Sequence, residues 1–174
     1  MALFNQMIKK PKLYIIPGYQ ETTRRHSYQK LSKKALSLGY DVVKVNPIWS
    51  MPLSSQLFSI EDGSSVVAFS LGAVIAELSI KKFKPKSLNK IIFASPTTYL
   101  CADDLNGILP NKIISDVKSI GKNGFKTATY FYGELEKDLL PKYVPKKIKI
   151  KKLIPQTGHI LSAQYIQEIV DRLK

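Results

Sequence analysis

The sequence predicts an α/β fold, a three-layer sandwich in which a mostly parallel sheet of about six strands carries helices on both faces. Three observations lead there. Short runs rich in β-branched and aromatic residues alternate with stretches of helical periodicity, the order that builds parallel sheets through crossover connections. One of those runs, SVVAF at 65–69, is apolar almost throughout, as a strand covered on both faces must be. No internal repeat and no linker divides the 174 residues, so a single domain spanning 1–174 is expected.

The elements follow in order. KLYII at 12–16 is a β-rich run ended by Pro17 and Gly18. Residues 22–38 have helical spacing, with Tyr28, Leu31, Ala35 and Leu38 on one face and Gly39 as a stop. DVVKVN at 41–46 is a second strand, closed by Pro47. Residues 47–63, which contain Trp49, Met51, Pro52, Leu53, Leu57 and Phe58, read as a loop with one or two helical turns. SVVAF then leads directly into a helix at 71–82. IIFA at 91–94 is a strand ended by Ser95 and Pro96. Residues 101–125 are mixed, with a helix near 113–120 and turns at Gly121 and at Asn123-Gly124. TATYFY at 127–132 is a strand stopped by Gly133, and 148–154 is the last strand. Residues 162–173 form an amphipathic helix, with Tyr165, Ile166, Ile169, Val170 and Leu173 at helical spacing. Six lysines fall in 142–152, and the alternation Lys149-Ile150-Lys151 reads as an edge strand whose lysines deter pairing with other sheets.

Composition narrows the function classes. Hydrophobic residues make up 44% of the chain, enough for a sizeable core. A single cysteine, Cys101, excludes a disulfide within the chain. The N-terminal MALFNQMIKKPKLYIIPGY offers only the four-residue apolar run LYII, too short for a signal peptide. No run approaches the roughly 20 apolar residues of a spanning helix, so a cytoplasmic protein with no membrane span is expected. The net charge of +14 suits an acidic protein or surface partner as well as a merely lysine-rich surface. Only Arg24, Arg25 and Arg172 are arginines, the preferred readers of phosphate and bases, so no specific nucleic-acid partner is expected. Two histidines and one cysteine make no zinc cluster, and neither a dinucleotide fingerprint nor a phosphate-binding loop occurs, so no metal and no cofactor are expected.

Ser70 is the candidate nucleophile, or else an ordinary small residue in a tight strand-to-helix turn. It sits where the strand SVVAF turns into the helix LGAVIAELSI, at the carboxyl end of a strand, where open α/β sheets place their sites. A nucleophile on so sharp a turn requires small residues two before and two after it, and here they are Ala68 and Gly72. The following helix presents its first N–H groups and the positive end of its dipole, so the Leu71 N–H points at a developing oxyanion.

Ala68-Phe69-Ser70-Leu71-Gly72 resembles the nucleophile elbow G-x-S-x-G of the α/β-hydrolase family, with alanine for the first glycine. The resemblance covers nearly the whole chain, from about Lys12 to Lys174, because the family's other pieces occur in its order. It implies His159, in Thr157-Gly158-His159 after the last strand, as the general base. It implies an acid after the penultimate strand, where Gly133-Glu134-Leu135-Glu136-Lys137-Asp138 supplies three. The family spacing Gly-x-x-acid points to Glu136 first, with Asp138 second and Glu134 less suited. It also implies a second oxyanion donor in Pro17-Gly18-Tyr19, the Tyr19 N–H, a contact worth about 3 kcal/mol in the transition state. The chain begins at what would be the family's third strand, carries no insertion long enough for a substantial lid, and has a short segment between Asp138 and His159. It therefore resembles the small capless serine hydrolases, a minimal form of the fold.

The implied function is hydrolysis of a small-molecule carboxylic ester or thioester through an acyl-enzyme. Trp49, Met51, Leu53, Leu57, Phe58 and residues 97–109 are candidates to line an acyl pocket, although core packing claims about half of them. The alternative is a non-catalytic protein-binding module on a hydrolase scaffold, engaging an acidic partner.

Overall fold

In a computed structural model the described residues are 9–96, 109–120, 125, 127–138 and 150–174. Six parallel strands, β1 (Lys12–Ile16), β2 (Asp41–Lys44), β3 (Ser64–Phe69), β4 (Leu88–Ala94), β5 (Thr129–Gly133) and β6 (Ile150–Ile154), form one sheet in the order β2-β1-β3-β4-β5-β6. The described helices are α1 (His26–Ser37), α2 (Gly72–Phe83), α3 (Asn111–Ile120) and α4 (Ala163–Leu173), with 3-10 turns at Leu53–Gln56 and Glu134–Glu136. None is long and apolar enough to cross a membrane.

The period-2 alternation of each strand divides the core into two layers. Tyr14, Ile16, Val66, Ala68, Ile91, Phe93, Tyr130 and Tyr132 point toward α2 and α3. Leu13, Ile15, Val67, Phe69, Ile92, Ala94, Phe131 and Ile154 point toward α1 and α4. With both faces covered, β3 is buried at every position, its two leading serines included, as the apolar run that follows them requires. β6 is an edge strand, as its lysines foretell, and Lys152 pairs with Glu168 of α4.

Several boundaries differ from the expected ones, among them the end of β2 at Lys44 and the start of α3 at Asn111. α1 begins at His26 rather than at residue 22, because the Thr23 N–H and hydroxyl both donate to Asn46 Oδ1, at 2.8 and 2.9 Å, and hold the preceding residues in turns. β4 begins at Leu88, drawn into register opposite Ser64 of β3 although Asn89 and Lys90 are polar. β5 begins at Thr129 and continues to Gly133. The turns expected at Gly121 and Asn123-Gly124, the start of the last strand at 148–149, and Cys101 lie outside the described residues.

Because all strands are parallel, their carboxyl ends lie along one edge. The chain order reverses between β1 and β3, so the crevice of the sheet opens between Pro17-Gly18 and Ser70.

Candidate active site

Ser70 follows β3 with φ 52°, a left-handed backbone conformation that costs a non-glycine residue roughly 1–2 kcal/mol. The surroundings enforce it. The Ser70 N–H donates to Ala94 O at 2.9 Å, and the Ser70 carbonyl accepts from the Ala73 N–H at 3.1 Å, opening α2. The need for a glycine at position 72 comes from β1, not from the turn alone. A Cβ there would lie 2.4 Å from Pro17 O and 2.7 Å from Ile16 O. Strain held in place by its neighbours at a strand end is a feature of functional corners.

His159 reaches the serine from the loop after β6, with Nε2 2.6 Å from Ser70 Oγ. Its Nδ1 lies 2.8 Å from Glu136 Oε1. A carboxylate only accepts, so Nδ1 carries the proton and Nε2 presents its lone pair to the serine hydroxyl. The Phe69 ring, centred 5.3 Å from the imidazole, packs beside it.

The Gly-x-x-acid spacing has a local cause. Glu136 ends a 3-10 turn and reaches back, so that its Oε2 accepts the Gly133 N–H at 2.8 Å. The same oxygen accepts the Ser95 hydroxyl at 2.5 Å. Burial pushes the Glu136 pKa up, and the bonds from His159, Ser95 and Gly133 outweigh it, so the carboxyl is held below its ordinary value and stays ionised. Asp138 stands exposed beyond the turn and makes no hydrogen bond to His159. Glu134 instead accepts the Gln156 N–H at 3.1 Å.

The acid turn and the histidine loop meet at Gly133. Leu135 N–H donates to Thr157 O at 3.0 Å, and a Cβ on Gly133 would lie 2.4 Å from Thr157 O and 2.7 Å from Gly158 O. Both obstacles are backbone, so Gly133→Ala is expected to push the loops apart at a cost of about 2 kcal/mol. Urea denaturation reads the loss, and a changed imidazole resonance of His159 reads its departure from Glu136.

Gly18 lies against the serine: a Cβ added to it would be 3.0 Å from Ser70 Cβ. Its own N–H is taken, donating to Tyr28 Oη at 3.1 Å and Glu21 Oε2 at 3.3 Å, while the Tyr28 hydroxyl donates to Glu21 Oε2 at 2.5 Å. The N–H groups of Tyr19 and Leu71 meet no acceptor among the described residues. Trp49 packs edge-on to Tyr19, ring centres 5.6 Å apart, and donates its indole N–H to Glu21 O.

The other pocket candidates divide. Leu53 is fully buried, Leu57 and Phe58 pack on the α2 and α3 layer, and Leu109 is buried. Met51 is exposed, and 97–108 lie outside the described residues. Sequence reasoning passes over Leu135 and Ile160, next to the acid and the histidine, which are 73% and 71% exposed. It also passes over the site contacts of Glu21 and Tyr28, and those of Ser95 and Tyr165, which stand 41 and 29 positions from Glu136. Among the described residues no group of three or more His, Cys, Asp or Glu is placed to hold a metal ion.

No protein-family model and no curated protein matches the sequence. Solved structures do match. Est1E from Butyrivibrio proteoclasticus, determined with ferulic acid bound, superposes with a TM-score of 0.64 at 12% identity, over 95% of this chain and 87% of that one. Alpha/beta hydrolase domain-containing protein 10 from mouse gives 0.60 at 12% identity, over 95% and 88%. The ydeN gene product of B. subtilis gives 0.59 at 17% identity, over 94% and 98%. The chain has an α/β-hydrolase fold. Within that fold Ser70 occupies the strand-to-helix corner and His159 the loop before the last helix, on six parallel strands.

Proposed function

We propose that the protein is a serine hydrolase that cleaves a carboxylic ester or thioester through an acyl-enzyme. One observation carries the reading: an unbroken line of contacts from Ser70 Oγ to His159 Nε2 at 2.6 Å and from His159 Nδ1 to Glu136 Oε1 at 2.8 Å. His159 takes the Ser70 proton as the oxygen attacks the acyl carbonyl, and Glu136 stabilises the imidazolium. The N–H groups of Tyr19 and Leu71 receive the oxyanion, since the Gly18 N–H is already bonded. His159 then protonates the leaving alcohol or thiol. Water, deprotonated by the same imidazole, attacks the acyl-enzyme and frees Ser70. Leu135 and Ile160 give the mouth an apolar side that suits an acyl chain or an apolar alcohol. The groove bounded by Ile80, Lys86, Leu88 and Phe125 has no part in this, because it lies at the opposite edge of the sheet, where β4 begins.

A fluorophosphonate probe tests the reading. The expected result is one covalent adduct, mapped to Ser70 by mass spectrometry, absent in Ser70→Ala and strongly slowed in His159→Ala. A folded wild-type protein that takes no label would overturn it, and a non-catalytic module for an acidic partner would take its place.

A further inference from the structure

Ser95 repeats the backbone of Ser70 one strand over. It follows β4 with φ 43°, and its N–H donates to Phe131 O at 2.8 Å, as the Ser70 N–H does to Ala94 O. Glycine fills such a corner without strain, yet a serine stands there, and it is fully buried. Its hydroxyl lies 2.5 Å from Glu136 Oε2 and 2.5 Å from the Tyr165 hydroxyl of α4. Tyr165 is also fully buried, and its oxygen is 3.4 Å from Glu136 Oε2. The donors have one consistent arrangement. The carboxylate accepts from Ser95, and Ser95 Oγ accepts from Tyr165. The Phe69 ring meets Tyr165 edge-on at 6.1 Å and His159 at 5.3 Å, closing the packing behind the imidazole.

We propose that Ser95 and Tyr165 are positioning residues that hold the Glu136 carboxylate toward His159, so that the docking of the last helix is coupled to the reactivity of Ser70. This rests on the hydrolase reading above. Glu136 bonds the histidine through Oε1, and among the described residues its other bonds fall on Oε2, which orients it. Gly133 supplies one donor from the acid's own turn, whereas Ser95 and Tyr165 anchor it to β4 and α4, positions 41 and 29 residues away. Without the Ser95 donor the carboxylate is less stabilised as an anion, and its Oε2 is left with the Gly133 N–H as its near donor. The titratable groups around it are His159, Tyr165 of α4 and Tyr132 of β5.

Ser95→Gly removes the hydroxyl at a backbone conformation that glycine accepts, and Tyr165→Phe removes the second link while keeping the ring. The rate of fluorophosphonate labelling of Ser70 is followed against pH in the wild type, both single variants and the double variant, with urea denaturation alongside. The expected result is a fall of about tenfold for Ser95→Gly and a smaller one for Tyr165→Phe, the size that follows from losing a hydrogen bond to a charged group. The acid limb of the profile moves to higher pH in Ser95→Gly, since the Glu136 carboxyl, deprived of one stabilising donor, is then protonated more readily. The double variant loses less than the product of the two, because Tyr165 acts through Ser95. A Ser95→Gly profile superimposable on the wild type, or a fall in rate with the acid limb unmoved, overturns the proposal and leaves the hydrolase reading intact. A wild type that does not label at Ser70 overturns both.

Discussion

Glu136→Gln is expected to lower ester hydrolysis by about 10⁴-fold, while Asp138→Asn leaves it within about twofold of the wild type. Glutamine is nearly the shape of glutamate, so the turn over Glu134–Glu136 and its bond from the Gly133 N–H can persist. The failure is one of proton placement. An amide must split the two ends of the carboxylate into an acceptor and a donor. The Ser95 hydroxyl and the Gly133 N–H both demand an acceptor at Oε2, so the amide NH₂ faces His159 Nδ1. The imidazole must then carry its proton on Nε2, pointing at Ser70 Oγ, and has no lone pair for the serine proton. Asp138 has no such leverage, because it is exposed and makes no bond to His159. Initial rates on a short activated ester, for both variants beside the wild type, check this. Equal losses at the two positions, or a larger one at Asp138, would move the acid's role two residues along the chain.

The reach of the sequence follows the range of the forces involved. Apolar β-rich runs and helical spacing place every described strand and helix, because burial is written in the residues of each element. The start of α1 escapes, since the bonds that halt it run from Thr23 to Asn46. Glu136 is legible by spacing, and its cause is local too: a bond three residues back. Gly72 and Gly133 are legible as small residues in a pattern, but their reason is carbonyls of β1 and of the histidine loop at 2.4 Å. The roles of Ser95 and Tyr165 leave no local trace, because a hydroxyl that meets a carboxylate 41 residues on has the same sequence context as one that meets water.

Glu77 is the place where the fold spends stability without return to the site. It lies in the middle of α2, fully buried, and neither carboxyl oxygen has a hydrogen-bond partner among the described residues. Burial drives its pKa up from 4.5 to about 7, against the pull of Lys81 one turn on, and Tyr132 of β5 is the other titratable group whose pKa it affects. The sign is fixed by linkage. The unfolded chain releases this proton near the ordinary value while the folded chain keeps it, so stability falls as pH rises from about 4.5 and levels off above about 7. The rise corresponds to about 3 kcal/mol. Glu77→Met, close in volume and apolar, is therefore expected to gain about 3 kcal/mol at pH near 8 and much less at pH near 5. Urea midpoints of the two proteins at both pH values check it. A variant no more stable than the wild type at the higher pH would show that the Glu77 carboxylate is satisfied in the folded protein.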